Sequence, residues 1–154
     1  MTTGRRAGGG RRVPRRRSPA SIPVGAHLVV DGMNVIGSTP DGWWRDRDGA
    51  VRQLFHRLER LSAETARPIT LVLDGRPPRG VPEGRHGGLT VTYAVRGGRD
   101  AGDDRLVEVI EGWPGDPPAC VITSDRALAA RVERLGASVR GATVLRAALD
   151  RLGD

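Results

Sequence analysis

Acidic residues recur in this chain directly after short apolar runs. Asp31 closes HLVVD, Asp74 closes ITLVLD, and Asp125 follows in VITSD. Asp103 and Asp104 form a pair just ahead of the apolar residues Leu106, Val107 and Ile110, and Asn34 stands three positions after Asp31. Carboxylates gathered in one place repel one another, and their pKa values rise unless a cation neutralises them. A hard divalent cation, Mg²⁺ or Mn²⁺, resolves that conflict, because Mg²⁺ favours one or two carboxylates completed by water and substrate phosphate oxygens. The chemistry that follows is phosphodiester hydrolysis, in which one or two ions activate water, hold the phosphate and offset charge on the leaving oxygen. The candidate metal ligands are therefore Asp31, Asp103, Asp104 and Asp125. Asn34 is too weak a ligand to join them, but its amide can orient a water or a phosphate oxygen.

Such a site requires a fold that carries these residues to one edge. An open parallel sheet does so, since its ligands bind outside the carboxyl ends of the strands, where the strand order reverses. Continuous apolar runs predict strands buried on both faces at 27–31, 69–74, 119–123 and, more weakly, 138–140. The alternation of Leu89, Val91, Tyr93 and Val95 with Thr90, Thr92 and Ala94 predicts a half-covered edge strand over 89–95. Four helices are expected from the stripes Val51–Leu61, Leu106–Ile110, Leu128–Leu135 and Leu145–Leu152, with Ser124 and Thr143 as N-caps. The expected fold class is α/β. Taken singly, each acid also has a plainer role: Asp31-Gly32 and Asp74-Gly75 as turns, Asp103 and Asp104 as complements to a helix dipole, Asp125 as a cap. Their joint placement at the ends of successive crossover units favours the site. Asp74 is the weakest member, because Gly75 already accounts for it.

Charge divides the chain in two. All 25 basic residues are arginine, against 18 acids, for a net charge of +7. Seven arginines, among them Arg15, Arg16 and Arg17, precede the first acid, Asp31, so removing them leaves 18 basic and 18 acidic residues. Residues 1–24, rich in Gly, Pro, Ser and Arg, predict a disordered tail that could attract RNA phosphates or merely aid solubility. Residues 25–154 are then the folded domain. Cys120 is the only cysteine, and no apolar run reaches a membrane span, which predicts a cytoplasmic protein without disulfides. The linker 75–88, with Arg76, Arg79, Arg85 and His86, reads as long, mobile and basic. Arg76 and Arg79 in it, and Arg96 and Arg99 in the RGGRD loop, are candidate phosphate contacts.

The motifs VVDGMNVIGS at 29–38, LVLDG at 71–75, AGDDRLVEVIE at 101–111 and VITSDRAL at 121–128 resemble, in order and spacing, the NYN domains of the PIN-like nuclease superfamily, above all their YacP-like branch. The resemblance spans about residues 27–152. It implies a three-layer α/β/α PIN-like fold with a mostly parallel five-stranded sheet, and metal-dependent endoribonuclease activity on RNA, with one YacP-like relative acting on messenger RNA at the ribosome. By motif, Asp31 and Asn34 match the first acidic motif, Asp103 and Asp104 the acidic pair, and Asp125 the acid after the following strand. The approach to the pair, Arg99 to Gly102, departs from the family pattern, and Ala129 stands where some relatives carry another acid.

A rival from another class is a catalytically silent RNA-binding module, with the arginine tail supplying most of the affinity. An aspartyl-nucleophile phosphatase fits less well, because it needs a second Asp where this chain has Met33. Trp43 and Trp44 are expected mainly to pack, with stacking on an unpaired base as the alternative. His27 and His56 are poor ligands by position, and Cys120 reads as a small core residue.

Overall fold

A computed structural model of the chain describes residues 21–94, 97–98 and 100–153. Arg15, Arg16 and Arg17, with the rest of the arginine-rich segment to residue 20, lie outside the described residues, as do Arg96 and Arg99. Residues 21–23, grouped with the tail by composition, lie against the domain. Ile22 packs on the core, Arg140 donates to the Ser21 carbonyl and Arg67 to that of Pro23.

The apolar runs become the strands β1 (His27–Asp31), β2 (Ile69–Leu73), β4 (Leu89–Tyr93), β5 (Ala119–Ile122) and β6 (Ser138–Arg140), all parallel to their neighbours among these five. Among the described residues the sheet has six strands rather than five, in the order β3-β4-β2-β1-β5-β6. The added β3 (Gly84–His86) pairs antiparallel with β4, so the linker expected to be mobile folds back onto the sheet. Its hairpin loop is Gly87-Gly88, with Gly87 at φ 64°, a conformation a two-residue turn favours and glycine adopts freely. Val81 is fully buried and its carbonyl accepts from the Tyr93 hydroxyl at 2.6 Å, which pins the same linker at a second point. β4 is consequently an inner strand and not an edge. Its Thr92 is covered by Arg105, whose Nε donates to the hydroxyl at 3.0 Å.

Among the described residues five α-helices flank the sheet: α1 (Gly32–Gly37), α2 (Arg47–Thr65), α3 (Ala101–Glu111), α4 (Arg126–Arg134) and α5 (Ala142–Leu152). The unforeseen α1 has only six residues, too few to show a periodic stripe. Strand residues alternate between two cores. Leu28, Val30, Leu71, Leu73, Cys120 and Ile122 pack with α1, α2 and α5, while Val29, Val72, Ala119 and Val121 pack with α3 and α4. Burying each such Leu or Ile contributes about 1.5–3 kcal/mol relative to exposure, so both faces must be covered and the three layers follow. Asp125 caps α4, its carboxylate accepting from Leu128 N at 3.0 Å, in place of Ser124. Ser124 instead accepts from Ala142 N at 3.0 Å at the start of α5, whose cap residue is Gly141; Thr143 lies inside that helix. Among the described residues, no helix is long and apolar enough to cross a membrane.

Candidate active site

The strand order places the reversal at β1, which pairs with β2 on one side and β5 on the other. The site is expected beyond the carboxyl ends of these strands. Alternation decides which side chains reach it. Asp31 shares the face of Val29 and Thr123 that of Val121, both toward α3 and α4, and Asp74 follows Val72 in the same phase. The Thr123 hydroxyl donates to Asp31 Oδ2 at 2.8 Å and accepts from Asp125 N at 3.1 Å. One residue on, Ser124 N donates to Asn34 Oδ1 at 2.8 Å. Two of these hydrogen bonds tie the turn after β5 to Asp31 and to α1, and the third closes the turn on itself. Asn34 uses its carbonyl oxygen in this tie, which leaves its NH₂ as the group able to meet a substrate oxygen.

Asp31 is buried, and its pKa is pushed up to about 6. Loss of water around the carboxylate is the largest cause; the negative charges of Asp103 and Asp125 add to it, and the Thr123 hydroxyl opposes it. Asp103 is raised as well, first by desolvation and then by Asp125 and Asp100. The carboxylates of Asp31, Asp103 and Asp125 therefore share one electrostatic site. Asp104, predicted as a fourth member, turns aside to Arg131 of α4 at 3.3 Å in an exposed ion pair. Asp74 lies against the other flank, where its backbone carbonyl and carboxylate accept from Arg47. A Cβ added at Gly102 would sit 3.1 Å from Asp74 Oδ2. The small residue ahead of the acidic pair lets the start of α3 lie close against the Asp74 side chain.

Arg76 and Arg79 are exposed in the loop leaving the same end of β2. His27 holds Thr70 through Nε2 at 2.8 Å, sits edge-on to Trp113 and has its pKa lowered by burial, a structural role. His56 pairs with Glu59 on the surface of α2, and Cys120 is a buried core residue. Two site residues escaped the sequence reading: Thr123, whose only signal is a hydroxyl in the last buried position before Ser124-Asp125, and Gly32, which the DG dipeptide presents as turn chemistry.

The family model of the YacP-like NYN domain matches residues 28–153. The chain belongs to the YacP-like NYN domain family. That family is a branch of the PIN-like nuclease superfamily. Two crystal structures of Rae1 (YacP) from Bacillus subtilis share the fold of this NYN domain. One has a TM-score of 0.65 at 19% identity, covering 82% of this chain and 74% of that one. The other, a tryptophan-to-leucine mutant, has a TM-score of 0.64 at 19% identity, covering 81% and 74%. No curated protein matches the chain. The likeness to Rae1 bears on the fold; the site of this NYN domain rests on its own residues.

Among the described residues, no three His, Cys, Asp or Glu side chains are grouped as a ready-made metal shell. The donor set is two or three carboxylates whose charge is poorly compensated by protein. That suits a largely hydrated hard cation held by one or two carboxylates and does not suit a closed all-protein cage.

Proposed function

We propose that this NYN domain is a divalent-metal-dependent endoribonuclease, with messenger RNA on the ribosome as the first substrate to try. The observation that carries the reading is Asp31, a buried carboxyl at the sheet's reversal point whose ionisation is opposed first by loss of water and then by Asp103 and Asp125. Asp31 and Asp125 also serve the fold, through Thr123 and as the cap of α4, but the mutual repulsion of the three carboxylates has no structural use, whereas cation-assisted phosphodiester hydrolysis uses it. Asp31, Asp103 and Asp125 would hold Mg²⁺ or Mn²⁺, which supplies Lewis-acid stabilisation and lowers the pKa of water. Thr123 fixes the Asp31 carboxylate, and Ser124 N fixes the Asn34 amide so that its NH₂ can donate to a phosphate oxygen. Water adds to phosphorus and a P–O bond to the ribose breaks, leaving a phosphate monoester on one fragment and a hydroxyl on the other. Arg76, Arg79, Arg96 and Arg99, with Arg15–Arg17 of the tail, are proposed to bind flanking phosphates. Such contacts position the strand without selecting its sequence.

Incubation of end-labelled RNA, free and ribosome-bound, with the purified full chain and Mg²⁺ or Mn²⁺ tests the proposal. Cuts that require the metal, and vanish with EDTA, are expected. RNA binding that persists without cutting on every substrate would make the domain a silent RNA-binding module. Within the acidic pair the two members separate: Asp103→Asn should lower the single-turnover rate at least about tenfold more than Asp104→Asn, since an exposed ion pair such as Asp104–Arg131 contributes little. Equal losses would place Asp104 in the site as well.

A further inference from the structure

The tryptophan pair divides in the fold. Trp43 packs against the core at the end of α1, whereas Trp44 is 59% exposed. Trp44, Leu135 and Val24 are the large apolar side chains exposed among the described residues, and of these only Trp44 offers an aromatic face. The turn that carries it, Trp43–Arg45, is held on both sides. Gly42, at φ 80°, starts it, Asp41 Oδ1 accepts from Trp43 N at 3.1 Å, and Arg45 N donates to the Gly42 carbonyl at 2.9 Å. Asp46 caps α2, and Arg47 locks onto Asp74 beside the acidic edge. The nearby acids are therefore engaged: Asp41 and Asp46 with backbone N–H groups, Asp48 near Arg47 at 3.8 Å. Arg45 makes no salt bridge among the described residues, and its guanidinium carbon lies 5.8 Å from the Trp44 ring centroid. Trp43 meets Trp44 edge-on, 6.1 Å between centroids, and buttresses it.

An exposed indole on a fixed turn, with a cation at its ring, has the chemistry of a single-strand stacking platform: a π-face for a base and a charge for the adjoining phosphate. Its place fits. Arg47, three residues beyond Trp44, donates to Asp74 directly after β2, which keeps this turn near the carboxyl ends of the strands. We propose that Trp44 and Arg45 bind an unpaired base of single-stranded RNA a few nucleotides from the bond lying at Asp31. This subsite rests on the RNA-cleaving reading above, but it is testable without cleavage.

The experiment measures binding of the full chain, in EDTA, to a fluorescein-labelled single-stranded RNA 12-mer and to an abasic ribose-phosphate 12-mer of the same charge. Trp44→Ala should weaken binding to the base-containing strand by roughly 5- to 150-fold, the span of single-base stacking losses, and leave the abasic strand unaffected. Trp44→Phe should restore most of the affinity. Unchanged binding of the base-containing strand, or equal loss on both strands, overturns the proposal and leaves the exposed indole to a protein partner or to general surface effects. Asp31→Asn, assayed in parallel, should keep the discrimination between the two strands. Absence of metal-dependent cleavage in wild type would then defeat the nuclease reading while leaving the stacking result intact.

Discussion

Asp31→Asn should abolish RNA cleavage and, in metal-free buffer at neutral pH, make the protein more stable. The Asp31 carboxyl titrates near 6 in the folded chain against 3.8 for an unperturbed group. A pKa raised by folding means that the fold tolerates the protonated form and resists the ionised one. The stability that protonated Asp31 allows is fully present below about pH 4 and is lost as pH rises through about 6. At pH 7.5 the ionised group costs about 2–3 kcal/mol. Asparagine carries no charge and can still accept from the Thr123 hydroxyl, so the variant escapes that cost. Thermal unfolding in EDTA should show the variant more stable by roughly 5 °C or more at pH 7.5 and equal to wild type near pH 4. Added Mg²⁺ should narrow the gap by stabilising wild type, since a ligand bound only by the native state stabilises it. Cleavage should fall at least about 100-fold, the loss of a few kcal/mol of charge stabilisation. A variant less stable than wild type at pH 7.5 in EDTA would show that Asp31 serves the fold and not a site.

The sequence displays Asp31 because it ends an uninterrupted apolar run and Asp125 because it follows another within three residues, and such runs have few alternatives to buried parallel strands. It does not separate Asp103 from Asp104. Both occupy the first turn of α3, and only packing against α4 decides that one faces the site and the other Arg131. Thr123 is invisible for a related reason: a threonine in a buried strand needs no explanation until its hydroxyl is found bridging Asp31 and Asp125 N. β3 hides in a stretch of Gly, Pro and Arg whose one β-branched residue, Val81, lies outside the strand. Its one local signal is the Gly87-Gly88 turn, and pairing with β4 supplies the rest. The same inserted strand turns β4 from an edge into an inner strand, so the alternation over Leu89–Tyr93 reports Arg105 over Thr92 in place of solvent, and Val95 lies outside the described residues. Trp43 and Trp44 are adjacent and identical in type, and the turn alone assigns one to the core and the other to the surface.

The glycine pairs DG at 31–32 and 74–75 look alike in the sequence and differ in the fold. Gly75 has φ +79° and fits turn chemistry, whereas Gly32 begins α1 without a positive φ. What holds Gly32 is space. A Cβ there would meet Leu73 Cδ2 at 2.6 Å, the Val72 carbonyl oxygen at 2.9 Å and Leu71 Cδ1 at 3.0 Å. The leucine ends could rotate, but the carbonyl belongs to β2, which pairs with β1 on one side and β4 on the other and cannot yield alone. Gly32→Ala must therefore push α1 away from the sheet. Alanine recovers about 1 kcal/mol as a better helix former, against an overpacking cost of typically 1–3 kcal/mol or more. The net loss is modest, and urea unfolding should place it at about 1–2 kcal/mol. Activity should suffer far more, because the displaced residue joins Asp31 to the helix bearing Asn34, and the Asn34–Ser124 hydrogen bond spans the gap that would open. A misplacement of the order of 1 Å can cost about 100-fold in rate, so single-turnover cleavage should drop at least tenfold while the fold survives. Gly37→Ala, where nothing lies closer than 3.8 Å, should leave both stability and rate near wild type. If Gly32→Ala behaved like Gly37→Ala, the close crossing of α1 over β2 would not be what sets the geometry of Asp31 and Asn34.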